Sequence, residues 1–215
     1  MMNRFRDPIN ALTHLIGAIL SLIGIFAMLV LIIAENNVTP LTLISVFAFG
    51  GGLICLYTSS FIYHSSLGNE EKVVHLKKMD HAMIFILIAG TYTPFCLIAL
   101  SGTFGMVLMA AIWGIAILGI IFKMLWINMP RWLGTGLYIF LGWFALFAVV
   151  PLYRALPLPG FILLVAGGVM YTVGGVIYAI KKPSFSKEFG FHEFFHIFVI
   201  LGSLCHYCCI FFYIL

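Results

Sequence analysis

Charged residues are scarce in this chain. Asp, Glu, Lys and Arg together make up 8% of its 215 residues, whereas a typical soluble domain carries about 25%. Hydrophobic residues make up 63%, and the mean hydropathy is +1.16. A water-soluble globule of this length needs far more polar surface to cover its core. The composition excludes a soluble enzyme, a disordered chain and a nucleic-acid-binding module, and it predicts a polytopic membrane protein.

The alternation of apolar and polar residues that marks a transmembrane β-strand is also missing, since runs such as 19–34 are apolar on all sides. Long stretches without charge instead predict membrane-spanning helices, each of which needs roughly 20 residues. The stretch 81–122 is long enough for two crossings, and the turn-like residues 101–103 interrupt it. The sequence therefore predicts an all-α integral membrane protein, with one seven-helix transmembrane domain over residues 1–215. The expected helices cover residues 11–34, 41–63, 82–100, 105–125, 132–151, 160–180 and 193–214.

Positive residues are distributed unevenly between the two sides of this topology. Of the 11 Lys and Arg residues, only Arg154 falls on the side opposite the N-terminus. The other ten are Arg4, Arg6, Lys72, Lys77, Lys78, Lys123, Arg131, Lys181, Lys182 and Lys187. Because positive loops are retained on the cytoplasmic side of a membrane, we expect a cytoplasmic N-terminus and a C-terminus outside.

Polar side chains inside a bilayer are costly and therefore informative. His192 and His196 are spaced i,i+4 at the start of the last predicted helix, so one helix face presents both imidazoles to one metal ion. His64 ends the second predicted helix, Ser60 lies one turn before it, and Asp80 begins the third helix. The topology places all five at one depth near the inner face. This pattern predicts a metal site with three histidines; the alternative is a set of interfacial polar residues that cap helix ends.

Three neutral imidazoles with an open fourth position suit Zn²⁺ and a bound water, which the metal acidifies into a nucleophile. Asp80 is the candidate base for this water, and Ser60 is the candidate for hydrogen bonding to the water or to a substrate carbonyl. A competing pattern is H-E-x-x-H at residues 192–196, in which Glu193 is the base and His64 the third metal ligand. Residue types and spacing leave both assignments open.

Three further histidines have more modest expected roles. His206 lies ten residues after His196, about 15 Å along an ideal helix, so it is too far away to bind the same ion. We expect it to be a hydrogen-bonded core residue or to line a substrate cavity. His14 is expected to pack or hydrogen-bond near the inner interface. His81 points about 100° away from Asp80 on a helix, so we expect it at most to contact residues of the metal site and not the metal itself.

The ordered motifs of the chain resemble the hemolysin III family, within the progestin and adipoQ receptor superfamily that includes the adiponectin receptors. The likeness covers nearly the whole chain, and it rests on Asn10–His14, Ser60-x3-His64, Met79-Asp80-His81, Gly90–Pro94 and His192-x3-His196. It implies seven transmembrane helices with a cytoplasmic N-terminus. It also implies zinc held by His64, His192 and His196, with Asp80 contacting the zinc water. Alkaline ceramidases resemble the group in this site, which implies hydrolysis of a lipid amide.

The expected function is that of a zinc-dependent intramembrane hydrolase in a bacterial cytoplasmic membrane. It would cleave an amide or ester bond of a membrane lipid or fatty-acyl substrate. One alternative is a non-enzymatic, zinc-containing lipid sensor or regulator of membrane homeostasis, in which the metal pins the second and seventh helices together. A second alternative is a pore-forming cytolysin, although seven apolar helices with no charged stripe give no obvious conduction path.

Overall fold

The computed structural model describes residues 5–126, 129–184, 186 and 189–215. Within these ranges, seven helical segments are long and apolar enough to cross a membrane, and no residue is in a β-strand. The predicted all-α fold with seven spans is therefore confirmed. Arg4 and Lys187, two of the residues used to predict the orientation, lie outside the described residues. The helices are α1 (Pro8–Ala34), α2 (Pro40–Ser65), α3 (Glu70–Pro94), α4 (Gly102–Leu125), α5 (Arg131–Gly142), α6 (Val149–Ala155), α7 (Leu158–Ile180) and α8 (Phe191–Tyr213).

Helix α3 begins at Glu70, twelve residues before the predicted start at 82. The side chain of Asn69 caps this helix by accepting a 3.0 Å hydrogen bond from the backbone N–H of Lys72. Glu70 and Glu71 lie in the first turn, where negative charge is favourable. The charged segment that was expected to be a loop is therefore the first part of the helix. As a consequence, Asp80 lies well inside α3 rather than at its start.

Pro94 ends the regular part of α3, and a π-helical turn over Phe95–Ala99 follows it. The hydroxyls of Thr91 and Thr93 donate to backbone carbonyls four residues earlier, at 2.7 and 3.0 Å. Both hydroxyls thus bond to the helix itself, in a region where water is not available. Pro94 lacks a backbone N–H, which accounts for the irregular turn, and the third span continues to residue 99.

The fifth span contains a break that the sequence did not reveal. It was predicted as a single helix over 132–151, but a 3₁₀ segment, Trp143–Ala148, separates α5 from α6. The Tyr92 hydroxyl donates to the Gly142 carbonyl at 2.5 Å and accepts from the Ala145 N–H at 2.7 Å. An inserted side chain of this kind is a recognised cause of a helix break.

The spans form a closed ring in which each packs against the next. Contacts run from α1 through α2, α3 and α4 to α5, then through α7 and α8 back to α1. The third span is the most enclosed, since 67% of its apolar window is buried. Gly90 permits its close approach to α2, because a Cβ there would lie 2.4 Å from the carbonyl oxygen of Ala48.

Candidate metal centre

Three histidines from two distant parts of the chain meet at one end of the ring. His64 lies in the last turn of α2, whereas His192 and His196 lie in the first two turns of α8. Each offers one ligand atom, and the three atoms lie within 4.8 Å of one another. The ring centroids form a nearly equilateral triangle with sides of 5.0, 5.0 and 4.9 Å. The structure thus brings together the three histidines that the sequence predicted to be metal ligands.

Asp7 fixes the orientation of one of these imidazoles. Its Oδ2 accepts a 2.8 Å hydrogen bond from Nδ1 of His64, and its backbone N–H donates to the His64 carbonyl at 3.0 Å. This interaction, with help from Arg6, lowers the pKa of Asp7 from 3.8 to about 2 despite its partial burial. The Asp7 carboxylate is therefore ionised at neutral pH. His64 Nε2, the other ring nitrogen, is buried, and no described residue forms a hydrogen bond with it, so it remains available for a metal.

His14 of α1 packs directly against the triangle. Its ring stacks on His196 with the centroids 3.7 Å apart and an angle of 20° between the planes. Tyr57 meets the same imidazole edge-on at 5.1 Å. His14 is 3% exposed, and neither of its ring nitrogens has a hydrogen-bond partner. The stacked ring restricts how far the His196 imidazole can turn, so α1 contributes to the shape of the site.

Glu193 connects the first helix to the last. Its Oε1 accepts a 2.7 Å hydrogen bond from the side-chain amide of Asn10, and its Oε2 accepts a 2.8 Å bond from the backbone N–H of Gly190. The second bond caps the start of α8. Both carboxylate oxygens therefore have a structural partner.

Asp80 and Ser60 lie beside the histidines and face the same interior space. Ser60 is 1% exposed and Asp80 is 9% exposed. Asp80, Ser60, His192 and His196 all line one cavity. A carboxyl and a hydroxyl are thus present on the cavity wall that His192 and His196 share.

This cavity has a volume of about 270 Å³ and extends from the histidines into the membrane-embedded part of the ring. Helices α3, α5, α7 and α8 supply most of its wall, and the side chains are predominantly apolar. Leu152, Phe161 and Leu164 line it toward the opposite end. An apolar cavity with a few polar groups at one end is the usual form of a binding site for an amphipathic small molecule.

His206 and His81 also border this cavity. His206 Nε2 lies 3.1 Å from the Leu164 carbonyl, and the ring sits where a Cβ on Gly167 would clash. It therefore lines the apolar part of the cavity, as one of the two sequence-based interpretations stated. The backbone carbonyl of His81 accepts a 3.1 Å bond from the Tyr138 hydroxyl.

Sequence reasoning missed Asp7 as a partner of His64 and the stacking of His14 on His196. Asp7 directly precedes Pro8 at the start of α1, a pattern that indicates a helix N-cap. The Asp7 side chain makes no capping hydrogen bond, which is consistent with its use by His64. His14 lay inside a motif on which the family resemblance rested, and this was the only available signal.

The fold and this site define a class of protein: an integral membrane protein whose described residues form seven membrane spans, with a candidate three-histidine metal centre on an internal cavity. A family model described as "Haemolysin-III related" matches residues 2–207. The chain is 39% identical over 204 residues to "Hemolysin-3 homolog" of Bacillus subtilis (strain 168), covering 95% of this chain and 92% of that one. It is 41% identical over 208 residues to "Hemolysin-3" of Bacillus cereus, covering 96% and 90%.

The chain belongs to the haemolysin III family. The predicted family resemblance is therefore confirmed. Together with the seven spans, these relatives identify a multi-pass bacterial membrane protein.

Proposed function

We propose that this protein is a zinc-dependent intramembrane hydrolase that cleaves an amide or ester bond of a membrane lipid or fatty-acyl substrate. One observation carries the proposal: three clustered histidines lie beside a buried carboxyl and a hydroxyl, and this group adjoins an apolar cavity. A purely structural metal site has no need of an adjoining cavity with a carboxylate on its wall.

The residues fit a zinc ion. His64 Nε2 and His196 Nδ1 are buried without hydrogen-bond partners, which is costly unless something else binds there. Three imidazoles are a donor set that zinc prefers, and the cluster in the described part of the chain offers no fourth protein ligand. When bound, zinc would acidify a coordinated water and polarise the scissile carbonyl.

The remaining roles belong to side chains of the chain itself. Asp80 would accept the proton of the attacking water and return it to the leaving group. Ser60 would orient Asp80 or donate a hydrogen bond to the substrate carbonyl. Asp7 would hold His64 with Nε2 directed at the metal. The apolar wall would hold an acyl chain and exclude water from it.

Asp80 is preferred over Glu193 as the base because of their hydrogen bonds. Both Glu193 oxygens have partners, Asn10 and Gly190, that hold α1 and the start of α8 together. Proton transfer through Glu193 would require one of these bonds to break. Asp80 instead lies on the cavity wall, where a substrate would be.

The test is to incubate the purified protein with lipid extract and to follow the products by mass spectrometry, with and without a zinc chelator. We expect about one zinc per chain by elemental analysis, and lipid cleavage that the chelator abolishes. His196→Ala should lose both zinc and cleavage. Zinc content that is the same in His196→Ala and the unmodified protein would refute the site. Bound zinc without any lipid turnover would favour the non-enzymatic lipid sensor.

Cell lysis is a second candidate function, because the relative from Bacillus cereus is named "Hemolysin-3". Leakage of dye from liposomes that contain the purified protein would test it. Leakage that persists with a chelator and in Asp80→Asn would indicate a pore, whereas leakage that requires both zinc and Asp80 would follow from lipid hydrolysis.

A further inference from the structure

Three basic side chains that the proposed hydrolysis does not use line one end of the cavity. They are Lys77 of α3, Lys123 of α4 and Arg131 of α5, and we refer to them as the basic cluster. Lys77 lies one turn before His81 in α3, and the Nζ atom of Lys123 lies against Gly134, one turn after Arg131 in α5. Three helices therefore bring positive charge to one region of the cavity wall.

Lys123 is the most unusual member because it is only 9% exposed. Its Nζ lies over Gly134, 3.5 Å from where a Cβ would stand, so the missing side chain leaves space for the ammonium group. The like charge of Lys77 acts on it. Among the described residues, Arg6 forms an ion pair with Asp7, and Lys123 has no acidic partner. A buried ammonium group normally requires a counter-charge.

Arg131 is held in place by aromatic rings, and the described part of the chain gives it no ion pair. Its guanidinium stacks over the rings of Tyr178 and Phe191, at 4.6 and 5.2 Å from their centroids. Stacking fixes the plane of the guanidinium and leaves its N–H edge free for an oxyanion. The Nη1 atom is buried, and no described residue forms a hydrogen bond with it. This is the state of a donor whose acceptor is a ligand.

The described wall of the cavity supplies little negative charge to balance the cluster. Its one acidic residue is Asp80. Three positive side chains against one carboxyl leave this end of the cavity electropositive, whereas the remainder is apolar. A ligand that matches both parts has an anionic head and a hydrocarbon tail.

We infer that the basic cluster binds the phosphate group of an anionic acyl lipid, whose chains occupy the apolar part of the cavity. Two lysines and a stacked arginine suit a phosphate, because arginine binds two phosphate oxygens at once and lysine adds point charge. A free phosphate ion would leave the apolar part unused. Binding of this lipid does not depend on the proposed function, but its role as the substrate does. As a substrate, the lipid would have its scissile bond beside the histidines, between the basic cluster and the buried chain.

Lipid retention by the purified, zinc-loaded, full-length protein tests the inference. Dioleoyl phosphatidic acid and dioleoylglycerol differ only in the phosphate, and native mass spectrometry from detergent micelles counts how much of each remains bound. We expect the unmodified protein to retain phosphatidic acid at least about tenfold more strongly. Lys123→Gln and Arg131→Gln should lose most of this preference. Lys72→Gln, at the exposed start of α3, is the matched control and should keep it.

Lys77→Gln is a second test in case the buried substitutions impair folding. Lys77 is exposed, so its replacement should leave the fold intact. We expect unchanged zinc content and a reduced preference for phosphatidic acid. Equal retention of the two lipids by the unmodified protein, or an unchanged preference in both Lys77→Gln and Lys123→Gln, would overturn the inference. Complete displacement of phosphatidic acid by millimolar inorganic phosphate would show a site for a free anion and would overturn the lipid assignment.

Asp80→Asn separates this inference from the proposed hydrolysis. We expect it to keep the preference for phosphatidic acid and to lose turnover. If the unmodified protein binds phosphatidic acid selectively but cleaves no lipid, the binding site stands and the proposed hydrolase fails. If it cleaves lipids without regard to their phosphate, the hydrolase stands and the inference fails.

Discussion

Asp7 and His64 are separated by 57 positions in the chain, yet their side chains form a 2.8 Å hydrogen bond that points one imidazole into the candidate metal centre. Carboxylates that bond to the far nitrogen of a metal-binding histidine set its tautomer and raise its basicity. Asp7 is itself held by Arg6, whose Nε lies 3.0 Å from the same carboxylate oxygen. The segment before the first transmembrane helix therefore contributes to the candidate metal centre.

We predict that Asp7→Ala lowers zinc affinity by about 10- to 100-fold, because His64 loses the acceptor that fixes its ring. Asp7→Asn should have a smaller effect, since an amide oxygen still accepts the bond without supplying charge. Zinc retained after dialysis against graded concentrations of chelator is the measurement. Arg6→Gln is the control, because it leaves the bond between Asp7 and His64 in place. Equal zinc retention by Asp7→Ala and Arg6→Gln would contradict this role.

Substitutions of Asp80 and Glu193 should have different effects on the rate of lipid turnover. Asp80→Asn should keep zinc and lose at least about 100-fold in rate, because the amide cannot accept a proton. Glu193→Gln should retain most of its rate and instead unfold at a lower temperature, since its bonds to Asn10 and Gly190 are structural. Lipid turnover and thermal unfolding in detergent measure the two effects. An inactive Glu193→Gln beside a fully active Asp80→Asn would establish the H-E-x-x-H assignment instead.

We predict that Tyr92→Phe destabilises the protein by about 1–3 kcal/mol, because the Ala145 N–H and the Gly142 carbonyl lose their partner. Thermal unfolding in detergent measures the loss. Tyr153→Phe is the matched control, since Tyr153 is 59% exposed. If the two variants unfold at the same temperature, the tyrosine does not support the break between α5 and α6.

The contact between α2 and α3 can be tested with two glycines. Gly90→Ala should cost about 1–3 kcal/mol, because its Cβ would lie 2.4 Å from the backbone oxygen of Ala48. Gly51→Ala has nothing within 4 Å of the new Cβ, so it should be neutral or slightly stabilising for the helix. Comparison of the two unfolding temperatures separates close packing from helix propensity. An unaffected Gly90→Ala would show that the two helices can move apart at little cost.

The number of spans was predictable because hydrocarbon sets a minimum apolar length, and charge-free stretches of the sequence show that length directly. The start of α3 was not predictable, because the helix begins at Glu70 with a charged segment whose composition is typical of a loop. The break after Gly142 depends on Tyr92, about 50 residues away, and no local pattern encodes it.

The candidate site likewise contains residues that the sequence predicts and residues that it does not. His64, His192 and His196 were predictable as a group because helix direction places the end of α2 and the start of α8 at one depth. Asp7 and His14 were not, because their partners are chosen by packing between helices that are distant in sequence. Periodicity within a helix carries no information about such pairings.

The division of the three histidines between α2 and α8 also constrains the order of biogenesis. A nascent chain that still lacks its final helix holds a single imidazole of the triangle, and Asn10 has not yet met Glu193. A metal that needs all three imidazoles would therefore bind only after α8 has been inserted beside α2.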